Sequence, residues 1–231
     1  MILRAEQISK KYERATKMTS HFEAVSPLDL SIESGKFIEI TGRSGSGKST
    51  LLYMLAGILT PTKGKVFFGE TDSENLTDLY SLSDKKLSIL RNRNFGIIPQ
   101  GQTGLYALNV LQNILSPAAI YGDTKFYEQK ALELMEKVGI EKLCYAKMSE
   151  LSGGEMRRMA IARALILNPQ IIFADEPTDD LDDENTTTVL QLLRNIVNEG
   201  KTVFLVTHEQ SAKNYADIVY KMDAGILTLE K

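Results

Sequence analysis

Short apolar runs and amphipathic stretches take turns along the chain. Phe37–Thr41, Gly64–Phe68, Phe95–Pro99, Ile171–Asp175, Thr202–Thr207 and Ile218–Met222 read as strands. Several are continuously apolar, the pattern of strands covered on both faces. Between them, Ser49–Ala56, Phe126–Val138, Gly154–Leu167 and Glu184–Asn198 carry helical periodicity. In the second, Ala131, Leu134, Met135 and Val138 fall at i, i+3, i+4 and i+7 and form one apolar stripe. Strand–helix alternation predicts a mainly parallel α/β sheet. Two regions break the alternation. The first ~35 residues and Gly64–Glu70 read as short strands that pair in a small antiparallel sheet. From Leu105 to Leu151 the pattern is almost wholly helical, which predicts a helical lobe inserted between Phe95–Pro99 and Ile171–Asp175.

With 231 residues, 43% hydrophobic and 25% charged, the chain can bury a full core as one α/β domain. A net charge of −3 argues against a surface that coats nucleic acid. Cys144 is the single cysteine, which excludes an intramolecular disulfide and suits a reducing compartment. The opening MILRAEQISKKYERATK has no apolar stretch suited to a secretory signal, and the run around Met54–Leu59 is far below the ~18 residues of a membrane span. These features predict a soluble, cytoplasmic chain whose membrane role would run through a partner.

The strand Phe37–Thr41 leads into Gly42-Arg43-Ser44-Gly45-Ser46-Gly47-Lys48-Ser49-Thr50 and then the helical LLYMLAG. This is GxxxxGK[ST] in its strand–loop–helix setting. Glycines let the backbone curl its N–H groups toward phosphate oxygens, and the helix N-terminus adds partial positive charge. Lys48 would reach the β- and γ-phosphates and Ser49 would supply a hydroxyl to Mg²⁺. A glycine-rich turn with an exposed lysine is the plainer alternative. Such a site also needs one carboxylate for the metal shell and one for the attacking water. Asp175 and Glu176 supply both at the end of a buried strand, where open parallel sheets place their ligands. Asp175 is the metal-shell candidate and Glu176 the general base. Alone, the pair would read as ordinary turn formers.

Leu151-Ser152-Gly153-Gly154-Glu155, followed by Arg157, Arg158 and the helical MAIARALIL, sets a hydroxyl and two glycines at another helix N-terminus. With this string the sequence resembles the ATP-binding subunits of ABC transporters, whose signature is LSGGQ or LSGGE, and the resemblance covers essentially the whole chain. It implies a P-loop NTPase with a RecA-like, mainly parallel sheet core, a small N-terminal antiparallel β subdomain and an inserted helical subdomain. The core and β subdomain would take about 1–100 and 165–231, and the helical subdomain about 101–164. The resemblance places Tyr12 as the aromatic residue that stacks on adenine, with a surface tyrosine as the alternative. Gln100, after FGIIP, is similar to the Q-loop glutamine that senses Mg²⁺ and the γ-phosphate. Asp179-Asp180-Leu181-Asp182 resembles the D-loop, with Asp182 as its matching aspartate. His208 stands 32 residues after Glu176 at a strand end, where the family has its switch histidine. His21 has no such context.

Three positions depart from the commonest family pattern: Met156 replaces a frequent glutamine, Asp179-Asp180 replace a small residue and asparagine, and Pro99 replaces an aromatic. The family resemblance further implies a head-to-tail pair of chains. Ser152, Gly153 and Gly154 of one would complete the ATP site built by Lys48, Asp175, Glu176 and His208 of the other, and a transmembrane permease subunit would be driven by closure. LSDKKLSILRNRNFGIIPQ and ADEPTDDLD look like the group of macrolide-exporter, lipoprotein-releasing and antimicrobial-peptide-resistance ATPases. That group mostly passes mechanical work to extracytoplasmic domains of its membrane partner. A different class is an ABC-type ATPase that serves as a membrane-associated scaffold or assembly factor. DNA-repair members need a long coiled coil, and here 103 residues with no sustained heptads separate Lys48 from Leu151. Translation members carry two ATP-binding units, and a simple nucleotide kinase has no reason to carry LSGGE and Gln100.

Overall fold

The computed structural model describes residues 2–13, 21–70, 76–101, 104–120, 122 and 124–231. Among these, two sheets stand out. A six-stranded sheet is built from β3 (Phe37–Thr41), β6 (Phe95–Ile98), β7 (Ile171–Asp175), β8 (Thr202–Thr207), β9 (Ile218–Asp223) and β10 (Ile226–Leu229), in the order β10-β9-β3-β8-β7-β6. All its pairings are parallel except that of β10 with β9. The apolar runs FIEIT, IIFAD and TVFLVT become its central strands, and nearly every residue in them is buried. A second, four-stranded sheet has the order β2-β1-β4-β5 and is formed by β1 (Ile2–Glu13), β2 (His21–Glu33), β4 (Lys63–Gly69) and β5 (Thr77–Asp78). The antiparallel pairing of β1 with β2 and β4 matches the sequence expectation. The strands are longer than that expectation, because register shifts after Ala5 and Ile8 let β1 bend and keep pairing. Residues 14–20 of this predicted region lie outside the described residues.

Alternation along the central strands sends neighbouring side chains to opposite faces. One face of the parallel sheet, with Phe37, Ile172, Ala174, Val203 and Leu205, packs on α5 (Gly153–Leu165) and α6 (Asp183–Asn198). The other, with Ile38, Ile40, Phe173, Phe204 and Val206, packs on α1 (Lys48–Leu55) and on Leu3, Ile8 and Val25 of the antiparallel sheet. Phe68, Phe95, Phe173 and Phe204 run as a chain of ring contacts between the two sheets, with centroids 4.9, 5.3 and 5.8 Å apart. Such tilted pairs add to the area they bury.

Between β6 and β7 lie α3 (Val110–Ala119), α4 (Thr124–Lys137) and α5, which pack on one another through Ile114, Ala131, Leu134, Met135 and Met159. Among the described residues, α3, α5 and α6 start on the side-chain caps Asn109, Ser152 and Asp182. The helix α2 (Asp84–Asn94) was not predicted, since Leu87 is its one buried residue and no apolar stripe announces it.

Candidate functional site

The carboxyl ends of β3, β7 and β8 lie side by side and launch three functional segments: the glycine loop, Asp175-Glu176 and His208. In this loop Gly47 has φ +106 and its Cα lies so close to the Ala24 carbonyl that a Cβ would collide with it, so only glycine serves there. The helix α1 then begins with no side-chain cap. Its first-turn N–H groups therefore stay open for an anion. The Lys48 ammonium is buried and donates to the Gly42 and Arg43 carbonyls at 2.8 and 3.2 Å, which holds the charge inside the curl of the loop. Among the described residues the buried Ser46 hydroxyl has no hydrogen-bond partner, as expected of a group reserved for a ligand. A chain built this way can grip a polyphosphate.

The Ser49 hydroxyl donates to Asp175 Oδ1 at 2.8 Å. One hydroxyl and one carboxylate beside a phosphate loop are hard oxygen donors, the small protein share of the shell that Mg²⁺ takes alongside phosphate oxygens and water. Among the described residues no group of three or more His, Cys, Asp or Glu is placed to hold a metal. Tyr53, four residues on from Ser49 and thus on the same face of α1, has its hydroxyl pKa pushed well above the usual range by burial and by hydrogen bonding to Asp175.

Glu176 turns the chain out of β7 in the left-handed region, at φ +46. For a non-glycine residue this conformation costs of order 1–3 kcal/mol and is met mostly at functional positions. Its N–H is anchored on the Val206 carbonyl at 2.9 Å. The carboxylate is buried: Oε1 lies 3.4 Å from Lys48 Nζ, and Oε2 lies 3.0 Å from His208 Nδ1 and accepts the His208 N–H at 3.2 Å. Lys48, Glu176 and His208 thus form one connected cluster. Gln100, two residues past β6, lines the same cleft together with Ser44, Gly45, Gly47, Lys48, Ser49, Thr50 and Glu176. Tyr12 stands at its rim, half exposed, paired across the sheet with Phe22 and with the Lys10 ammonium 5.4 Å from its ring centre.

Ser152, Gly153, Gly154 and Asp182 do not line that cleft. Ser152 caps α5 in a reciprocal box with Glu155: its N–H and hydroxyl both donate to Glu155 Oε2 at 2.8 Å. These bonds hold the Glu155 carboxyl below its ordinary range. Asp182 caps α6 by accepting the Asn185 N–H at 2.8 Å, which lowers its pKa. Gly154 packs so tightly on the Asn185 side chain that a Cβ would collide with it. Asn185 also accepts from Arg158 at 3.1 Å, so the signature turn and the D-loop form one braced unit.

Sequence reasoning gave no role to three groups here. Arg157, buried, donates from α5 to the Pro99 carbonyl at 3.0 Å. Asp179 accepts from Gln100 at 3.2 Å. Asn185 ties Gly154 to Asp182. Arg157 and Asp179 bond residues 58 and 79 positions away, and Asn185 is held by Arg158, 27 positions away, as well as by the nearby Asp182; only the double arginine and the acidic D-loop hinted at them.

The profile of the ABC transporter family matches residues 25–179. The lipoprotein-releasing system ATP-binding protein LolD of Xanthomonas campestris pv. campestris (strain 8004) is 37% identical over 228 residues, covering 98% of this chain and 92% of that protein. The macrolide export ATP-binding/permease protein MacB of Bdellovibrio bacteriovorus is 36% identical over 220 residues, covering 95% of this chain and 32% of that larger protein. Among solved structures, the dimeric bacterial ABC transporter cassette MJ0796 superposes with a TM-score of 0.87 at 30% identity, over 99% of this chain and 98% of that one. Its post-hydrolysis dimer bound to ADP and Pi gives 0.85 at 29% identity, with the same coverage. A phosphate loop, a strand-end carboxylate pair and a signature turn on this fold, with such relatives along nearly the whole length, place the chain in the ABC transporter family, as an ATP-binding subunit.

Proposed function

We propose that two copies of this chain close head to tail on two Mg·ATP and that hydrolysis reopens them, moving a transmembrane permease. The observation that carries the reading is the separation of the site's parts: Lys48, Ser49, Gln100 and Glu176 line one cleft, with Asp175 and His208 joined to it through Ser49 and Glu176, whereas Ser152, Gly153, Gly154 and Asp182 lie outside it. A second chain would bring the signature turn to the γ-phosphate. The full-length dimeric relatives support this arrangement.

In this reading the loop from Gly42 to Thr50 wraps the phosphates with backbone N–H groups, and Lys48 gives its charge to the β- and γ-phosphates. Ser49, Asp175 and Gln100 would hold Mg²⁺, which neutralises charge on the phosphate oxygens when bound. Glu176 orients water and takes its proton; the strained turn at residue 176 fixes the carboxylate near the loop. His208 holds Glu176 Oε2 and faces the γ-phosphate. Tyr12 stacks on adenine. Phosphoryl transfer depends mostly on positioning and charge, so a site completed only by closure converts binding into motion.

The helical subdomain, about 101–164 between core segments of about 1–100 and 165–231, would carry that motion through Gln100 to the permease. Similarity to LolD, of a lipoprotein-releasing system, and to the macrolide export protein MacB supports the transporter role over a scaffold, with a permease for export, lipoprotein release or peptide resistance. Among the described residues no helix is long and apolar enough to cross a membrane, which fits a subunit held on the inner face by its permease. Purified chain tests the reading. Its Mg²⁺-dependent ATPase rate should rise more than linearly with protein concentration, and Lys48→Ala should lose both ATP binding and turnover. Full activity in that variant refutes the phosphate-loop assignment.

A further inference from the structure

We propose that Asp179 is a positioning residue that fixes the amide of Gln100, so that the Gln100 oxygen is presented to the nucleotide cleft. Gln100 carries two chemically different ends on one sp² carbon, and only Oε1 can ligate a cation. Its Nε2 donates to Asp179 Oδ2 at 3.2 Å. An ionised carboxylate only accepts, so it selects the N–H₂ end and turns the oxygen the other way. That other way is the cleft, which Gln100 lines beside Ser49, Thr50 and Glu176.

Both partners of this bond are themselves held. The Asp179 N–H donates to the Glu176 carbonyl at 3.2 Å, which ties the acid to the turn that carries the general base. The residue before Gln100 is clamped by Arg157, which donates to the Pro99 carbonyl at 3.0 Å and whose charge interacts with Asp179 and Asp180. Backbone and side chain at the Q-loop are thus fixed from two directions, by the signature helix and by the D-loop. A small residue at position 179 could not orient the amide. Carboxylates that orient a ligand in this way tune the affinity of the site for its metal.

The proposal rests on the placement of Gln100 in the Mg²⁺ shell, and the test separates the two. ATP binding to the full chain is followed with a fluorescent ATP analogue as a function of Mg²⁺, for wild type, Asp179→Ala, Asp179→Asn, Gln100→Ala and Gln100→Ala/Asp179→Ala. Asp179→Ala should raise the half-saturating Mg²⁺ by about three- to tenfold, the scale of one partly exposed hydrogen bond to a charged group. Metal-free nucleotide binding should be unchanged, which a disrupted loop would not allow. Asp179→Asn should fall between wild type and Asp179→Ala, because its amide can accept the same N–H but can also donate to Gln100 Oε1 and so no longer selects one orientation. In the Gln100→Ala background, removal of Asp179 should add nothing. In metal-free, ¹⁵N-labelled chain the Gln100 side-chain amide signals should move in Asp179→Ala. An Asp179→Ala chain with unchanged or tighter Mg²⁺ dependence, or an effect that persists without Gln100, overturns the positioning role. If Gln100→Ala itself leaves the Mg²⁺ dependence untouched, the assignment of Gln100 falls and the positioning role with it.

Discussion

Glu39 sits in the middle of β3, on the strand that feeds the phosphate loop, fully buried, and among the described residues neither carboxylate oxygen has a hydrogen-bond partner. Its strand neighbours are Leu205 of β8 and Val219 of β9. Burial is the largest influence and raises its pKa from 4.5 to about 7; Lys213 and Lys231 oppose this and Glu230 assists it. Glu39→Gln keeps shape and removes the titration. The folded chain retains a proton that the unfolded chain has lost between pH 4.5 and about 7, so stability falls as pH rises through that window and levels off above it. At about 1.4 kcal/mol per pKa unit, the shift corresponds to about 3 kcal/mol. We therefore expect Glu39→Gln to match wild type near pH 4.5 and to exceed it by about 3 kcal/mol at pH 8, which for a chain of this length is about 6–12 °C in Tm. Urea denaturation of nucleotide-free protein at intervals of one pH unit measures the difference, from which the titrations common to both chains cancel. A difference that does not change with pH, or a variant less stable than wild type at pH 8, refutes the reasoning.

Two further outcomes test the site. Gln100→Ala should keep substantial ATP binding, because the phosphate loop is intact, but lose stimulation by the permease in reconstituted vesicles; unchanged stimulation counts against coupling through Gln100. Tyr12→Ala should weaken ATP binding by roughly tenfold, the scale of one lost base–aromatic stack, and titration of the two proteins with ATP reads it directly.

Legibility in the sequence followed how local the cause was. FIEIT, IIFAD and TVFLVT became β3, β7 and β8 at the predicted bounds, since buried parallel strands need apolar residues on both faces. The glycine loop was legible because its chemistry is compressed into nine consecutive residues. Helix α2 was not, because a mostly exposed helix leaves no stripe. Nor was β10, whose residues are exposed or half-buried and whose pairing comes from a two-residue turn after β9. Glu39 was hidden inside a strand that otherwise reads as apolar. The Gln100–Asp179 and Arg157–Pro99 bonds join residues 79 and 58 apart, and nothing in periodicity encodes such pairs. Asp182 shows a residue that the family pattern singles out and that here also closes a helix cap.

Sedimentation of Glu176→Gln with and without ATP tests the head-to-tail account most directly. This variant keeps the side chain's size and loses the base, so hydrolysis should fall by roughly 10²-fold or more while Lys48, Ser49 and the partner's signature turn still bind ATP. It should therefore accumulate in ATP as a species of twice 25.7 kDa, and adding Ser152→Arg should return it to monomer by filling the γ-phosphate site from the opposite side. A Glu176→Gln chain that stays monomeric in ATP, or a dimer indifferent to Ser152→Arg, contradicts the account.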